Sequence, residues 1–150
     1  MEKITPGNEY LHLESDVLSK NADALRELVE HSSFTLTEHI RRAAALYQLS
    51  LRMYEDGGDV HSVSEAGAEV IPLFDRPAID SDVRVNLSVK NINKETASLF
   101  KDLGINKINF ETTVMDNVIN HYYQASIRSL NGQKIIAETS QGIKNELLFL

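Results

Sequence analysis

Cysteine is absent from the 150 residues, which excludes disulfides, thiolate zinc sites and a cysteine nucleophile together. Long apolar runs are absent as well. None approaches the roughly 18 residues that a spanning helix requires, so no membrane partner is expected. The opening residues MEKITPGNEY hold neither a basic patch before an apolar stretch nor a small-residue cleavage site, and no signal peptide is expected. A cytoplasmic protein fits these absences. Catalytic signatures are missing too: no Gly-x-Ser-x-Gly, no His-Glu-x-x-His and no phosphate-cradling glycine loop occurs. His12, His31, His39, His61 and His121 never pair at a spacing of four. Neither a metal, nor another cofactor, nor enzymatic activity is therefore expected.

What the chain does contain is ordinary for a soluble domain: 42 % hydrophobic residues, and a length suited to one domain or two very small ones. Its net charge of −7 is unevenly spread. Residues 1–75 hold 6 Lys/Arg against 14 Asp/Glu, a balance of −8, whereas residues 76–150 hold 9 against 8, a balance of +1. The second half approaches a polyanion more easily than the first.

An internal repeat organises the rest. A shift of 75 aligns Ala22 with Ala97, Leu28 with Leu103, Thr37 with Thr112 and Tyr47 with Tyr122. The same shift brings Gly57 to Gly132, Gly67 to Gly142, and Leu73-Phe74 to Leu148-Phe149. Each half opens on an alternating run, Tyr10 to Glu14 and Val83 to Ser88, the pattern of a half-buried strand. These runs register best at a shift of 74. A first helix is expected near 19–31, striped by Ala22, Leu25, Leu28 and Val29, and again near 93–104, striped by Ala97, Phe100 and Leu103. Gly104 is placed to cap the second copy.

A longer helix follows in each half. Thr35 and Glu38 have the spacing of a capping box, and Leu36, Ile40, Ala43, Tyr47, Leu51 and Tyr54 recur every three or four residues. The second copy is weaker: Phe110, Val114 or Met115, Val118, Tyr122, then Ala125 or Ser126. Both helices stop at glycine, Asp56-Gly57-Gly58 and Asn131-Gly132, and short runs around a turn then suggest a hairpin in each half. Residues 1–74 and 83–150 thus form two units, joined by a linker over 75–82.

A strand, a helix, a tight turn and a longer helix within about 50 residues is the plan of the ribbon-helix-helix DNA-binding family. The stretch NADALRELVEHSSFTLTEHIRRAAALYQLSLRMYEDGGDV resembles members whose second helix opens on Ser/Thr-x-x-Glu and runs into Ile-Arg-Arg-Ala. VRVNLSVKNINKETASLFKDLGIN resembles the family's strand and first helix, while ETTVMDNVINHYYQASI departs from the pattern of the second helix. The resemblance implies a mainly α chain with short strands: two tandem ribbon-helix-helix units, each followed by a short β-hairpin, forming a pseudo-twofold dimer. Whether the strands pair within or between chains is left open by the sequence.

The resemblance also implies a partner, double-stranded DNA, entered by the ribbon at its major groove. Base-facing residues are then Arg84, Asn86 and Ser88 from the second copy, and Tyr10, His12 and Glu14 from the first. Arginine suits guanine and asparagine suits adenine; Glu14 can accept from cytosine yet is repelled by phosphates. Phosphate anchors fall at the second helix's amino end: Thr35 and Leu36 after Phe34, and Asn109 and Phe110 after Ile108, with Lys107 beside them. The implied function is a bacterial or phage transcriptional regulator, a repressor acting by operator occupancy. The alternative is a protein-binding module, antitoxin-like or inhibitory, that keeps the fold without the DNA and meets a partner through its acidic first half. Further self-association is compatible with both. A positive ribbon face favours the regulator; a negative one favours the protein binder.

Overall fold

The computed structural model describes residues 11–74, 83–103 and 112–148. In chain order its elements are β1 (Leu11–Leu18), α1 (Ser19–Glu30), α2 (Leu36–Glu55), β2 (Asp59–Ser64), β3 (Gly67–Val70), β4 (Arg84–Ile92), α3 (Lys94–Asp102), α4 (Thr112–Leu130), β5 (Lys134–Glu138) and β6 (Lys144–Leu147).

Alternation builds the first sheet. In β1, Leu13, Ser15 and Val17 are buried while His12, Glu14 and Asp16 are exposed; in β4, Leu87 and Val89 are buried while Arg84, Asn86, Ser88 and Lys90 are exposed. The two strands pair antiparallel, Glu14 opposite Ser88 and Asp16 opposite Asn86, so both apolar sides turn to the same layer of helices. Between Leu11 and Leu13 the register slips, because the partners Ile92 and Val89 are three apart. Asn91 takes up the extra residue at φ 64°, a left-handed conformation that asparagine tolerates.

Each helix end has its own cause. Thr35 caps α2, its hydroxyl accepting from the Glu38 amide at 3.2 Å, and Asn93 caps α3 by accepting from the Thr96 amide at 2.9 Å. The reciprocal half of the capping box does not form, since the Glu38 carboxylate is taken by Arg41 and Arg42. α1 starts without a side-chain cap; the Ser19 amide donates to the Val83 carbonyl at 2.9 Å instead.

α4 is the central helix and packs on α1, α2, β1, β2 and β5. Met115, Val118, Ile119, Tyr122 and Ala125 are buried on it together with Asp116, Asn117, His121 and Ser126. A helix covered on nearly every side loses its single apolar stripe, which explains the weak periodicity of this segment.

The expected fold class is corrected here. Strands are not minor: 49 % of the described residues are helical and 29 % lie in strands, in two antiparallel sheets. Each half does form its hairpin, β2 with β3 and β5 with β6, but the halves are not clearly two tandem ribbon-helix-helix units. β2 pairs with β5 from Asp59–Glu138 to Val63–Lys134, fusing the hairpins into one four-stranded sheet of order β3-β2-β5-β6. A lone hairpin is marginal in water and leaves an open edge; pairing removes one edge from each. Gly58 permits the approach, for a Cβ there would lie 2.1 Å from the Glu138 carbonyl oxygen.

Candidate nucleic-acid interface

The outward face of the β1–β4 ribbon collects His12, Glu14 and Asp16 beside Arg84, Asn86, Ser88 and Lys90. His12 Nε2 lies 3.1 Å from Ser88 Oγ and 3.4 Å from Glu14 Oε1, linking the strands across the middle of the face. Arg84 is drawn away from this row. Its Nη1 donates to Asp116 Oδ2 at 2.9 Å, and its side chain is 31 % exposed against 4 % for Asp116. The other oxygen of Asp116 accepts from the Leu18 amide at 2.9 Å and from Asn21 Nδ2 at 2.8 Å. One buried carboxylate on α4 therefore gathers the end of β1, the start of α1 and the start of β4.

Charge on the face divides by strand. Glu14 and Asp16 make the β1 side acidic, while Asn86, Ser88 and Lys90 leave the β4 side neutral to basic. The Arg84 charge is compensated by Asp116. The face is thus neither uniformly positive nor uniformly negative.

The amino end of α2 stands beside the ribbon, joined by the Thr37 hydroxyl donating to the Lys90 carbonyl at 2.9 Å. Thr35 and Leu36 are at this end. The Arg42 guanidinium lies 3.8 Å over the Phe34 ring. Hydrogen bonding from Arg41, with Arg42 adding to it, holds the Glu38 carboxyl down at about 2, so an ionised carboxylate occupies the first turn, where the helix dipole favours an anion. This end supplies part of its own counter-charge.

Of the residues expected at the interface, His12, Glu14, Arg84, Asn86 and Ser88 share one face, with Thr35 and Leu36 next to it. Tyr10, Lys107, Asn109 and Phe110 lie outside the described residues, as do Ile108, Gly104 and the linker over 75–82. Asp16 and Lys90 were missed only because both strands run longer than the alternating runs first delimited. Asp116 had a fainter signal, a carboxylate inside an otherwise apolar helix.

Two buried histidines stand apart from the ribbon. His39 lies between Ser32 Oγ, 2.7 Å from Nε2, and the Tyr122 hydroxyl, 2.8 Å from Nδ1. His121 lies between Ser50 Oγ at 2.7 Å and the Pro72 carbonyl at 2.7 Å. A carbonyl only accepts, so His121 carries its proton on Nδ1 and Nε2 accepts from Ser50. Burial lowers both histidines, His121 to about 4. Behind each imidazole is a phenol or a carbonyl rather than a carboxylate to raise its basicity; these contacts satisfy polar groups within the core. Among the described residues no three His, Asp or Glu side chains are grouped to hold a metal ion, and no helix is long and apolar enough to cross a membrane.

No protein-family model matches the chain, and neither curated proteins nor solved structures give a match.

Proposed function

We propose that this chain is a sequence-specific DNA-binding protein, a transcriptional regulator that lays the β1–β4 ribbon into the major groove. The observation that carries the reading is a two-stranded ribbon backed by helices on one side, with Asn86, Ser88 and Lys90 turned outward on the other. The major groove is wide enough for such a ribbon, and Asn86 has the donor-acceptor pair that matches adenine. The likeness of the segments to ribbon-helix-helix regulators supports the same conclusion. Reading is asymmetric: β4 supplies the favourable contacts, while Glu14 and Asp16 on β1 are compatible only with a cytosine amino group or with distance from phosphate.

A second reading has specific support. The carboxylates of Glu14 and Asp16, together with the engagement of Arg84 by Asp116, suit a ribbon that docks on a protein, in the antitoxin-like or inhibitory manner.

Selection from random duplexes, followed by titration of the preferred sequence, separates the two. Asn86→Ala is expected to relax discrimination at one base pair by roughly 1–3 kcal/mol. Lys90→Ala is expected to weaken all duplexes alike and to lower the salt slope by about one. Selection without any preferred duplex would replace the regulator with the protein-binding reading. Arg84→Ala is the wrong probe, because it also strips Asp116 of its partner.

A further inference from the structure

At the opposite end of α2 from the ribbon, an open apolar pocket lies under the segment that follows β3. α2 spans 20 residues, so the two places are roughly 30 Å apart. Val60, Val70, Ile71 and Leu73 line a cavity of about 140 Å³, similar to the roughly 150 Å³ that holds one benzene-sized group. At its mouth Tyr54 and Phe74 meet edge to face, 6.4 Å between centroids, yet remain 59 % and 58 % exposed; Val70 is 57 % exposed. Large apolar side chains exposed together mark an interaction surface, and aromatic anchors dominate such surfaces.

Charge around the pocket specifies what fits. Asp59 lines the pocket, Glu55 and Asp56 follow Tyr54 directly in the chain, and Glu65 and Glu69 lie on the adjoining β2–β3 hairpin, with no Lys or Arg between Tyr54 and Phe74. Glu55, Asp56, Glu65 and Glu69 are exposed and Asp59 is half-buried. Arg128 compensates one of them, binding Glu69 at 3.2 Å from α4. A second copy of a chain with net charge −7 is repelled from such a rim, whereas a cationic partner is steered toward it.

We infer that this pocket docks a basic segment of a partner protein, inserting one apolar side chain beside Tyr54 and Phe74 while flanking lysines or arginines meet the acidic rim. The site is independent of the ribbon, and both can be filled at once.

The test uses the full chain, methyl- and amide-labelled for NMR, titrated with a short synthetic peptide of leucines flanked by lysines. A control peptide carries glutamates in place of the lysines. Saturable shifts centred on Val60, Val70 and Ile71 are expected with the first peptide and absent with the second. Tyr54→Ser with Phe74→Ser should weaken binding about tenfold; both side chains are largely exposed, so the fold is retained. Glu55→Gln with Asp56→Asn should weaken it by a smaller factor that vanishes in high salt. Equal binding of the glutamate peptide, shifts centred on Glu14 and Asp16, or no shift at all would overturn the inference. Concentration-dependent dimerisation abolished by Tyr54→Ser would overturn it in favour of a second copy. Duplex binding by the ribbon is read separately and is unaffected by these variants.

Discussion

Arg84 Nη1 stands 2.9 Å from Asp116 Oδ2, bringing a residue of the exposed ribbon edge onto a carboxylate that is almost wholly buried. The pair ties a residue of the expected base-facing set to the frame. A carboxylate this deep is costly to ionise unless it is hydrogen-bonded and paired, and Leu18, Asn21 and Arg84 supply three donors. The ribbon is thereby fixed on α4 at the end where β1 passes into α1.

Removing either partner should therefore act on stability before it acts on binding. Asp116→Ala removes the acceptor that the Leu18 N–H and the Arg84 guanidinium share with Asn21 and is expected to cost about 3 kcal/mol. Arg84→Ala leaves a carboxylate that still has two donors, and about 1–2 kcal/mol is expected. The double variant should lose less than the two single losses added, since both break one contact. Urea unfolding of the four proteins measures the coupling; strict additivity would show that the pair contributes nothing.

Gly58 has a similar role in the other sheet. With 2.1 Å to the Glu138 carbonyl oxygen and 3.1 Å to the Thr139 Cα, a methyl group there meets backbone that cannot step aside. Gly58→Ala is expected to cost roughly 2–4 kcal/mol. Gly132→Ala, where φ is +86° but no atom lies within 4 Å, should cost only about 1 kcal/mol. Thermal melts of the two variants distinguish a steric block from a strained turn; equal losses would remove the block.

Local pattern made much of this legible. The stripe through Ala22, Leu25 and Leu28 located α1, and Thr35 located the start of α2 within a residue. Alternation placed Asn86 and Ser88 on the outer face of β4 correctly. The joining of β2 to β5 left no such trace, because strands some 75 residues apart imprint only their own periodicity and never the identity of their neighbour. The pairing of Arg84 with Asp116 left no trace for a related reason: alternation sets the direction of the Cβ, which does put Arg84 on the exposed face, but a long guanidinium goes where its counter-charge is, and Asp116 lies on a distant helix. The acidic balance of the first half was visible as composition, yet only the fold brings Tyr54 and Phe74 to one pocket.

His121 gives the chain a pH-dependent stability of predictable sign. Burial holds it at about 4, below its ordinary 6.5, with Arg128 adding to the effect. Above 6.5 both folded and unfolded forms carry the neutral ring, and the stability is independent of this group. Between 6.5 and about 4 the unfolded chain binds a proton that the folded chain refuses, so stability falls as pH falls. Over that window the loss is on the order of 3 kcal/mol. His39, lowered by burial as well, acts in the same direction. Replacing His121 by Gln offers a side chain that can donate to the Pro72 carbonyl and accept from Ser50 without titrating. His121→Gln is expected to be less stable than the parent at pH 7 and to lose much less stability between pH 7 and pH 4. Urea midpoints measured across that range supply the check. A slope unchanged by the substitution would mean that other groups set the acid sensitivity, with His121 protonated as readily in the folded chain as in the unfolded one.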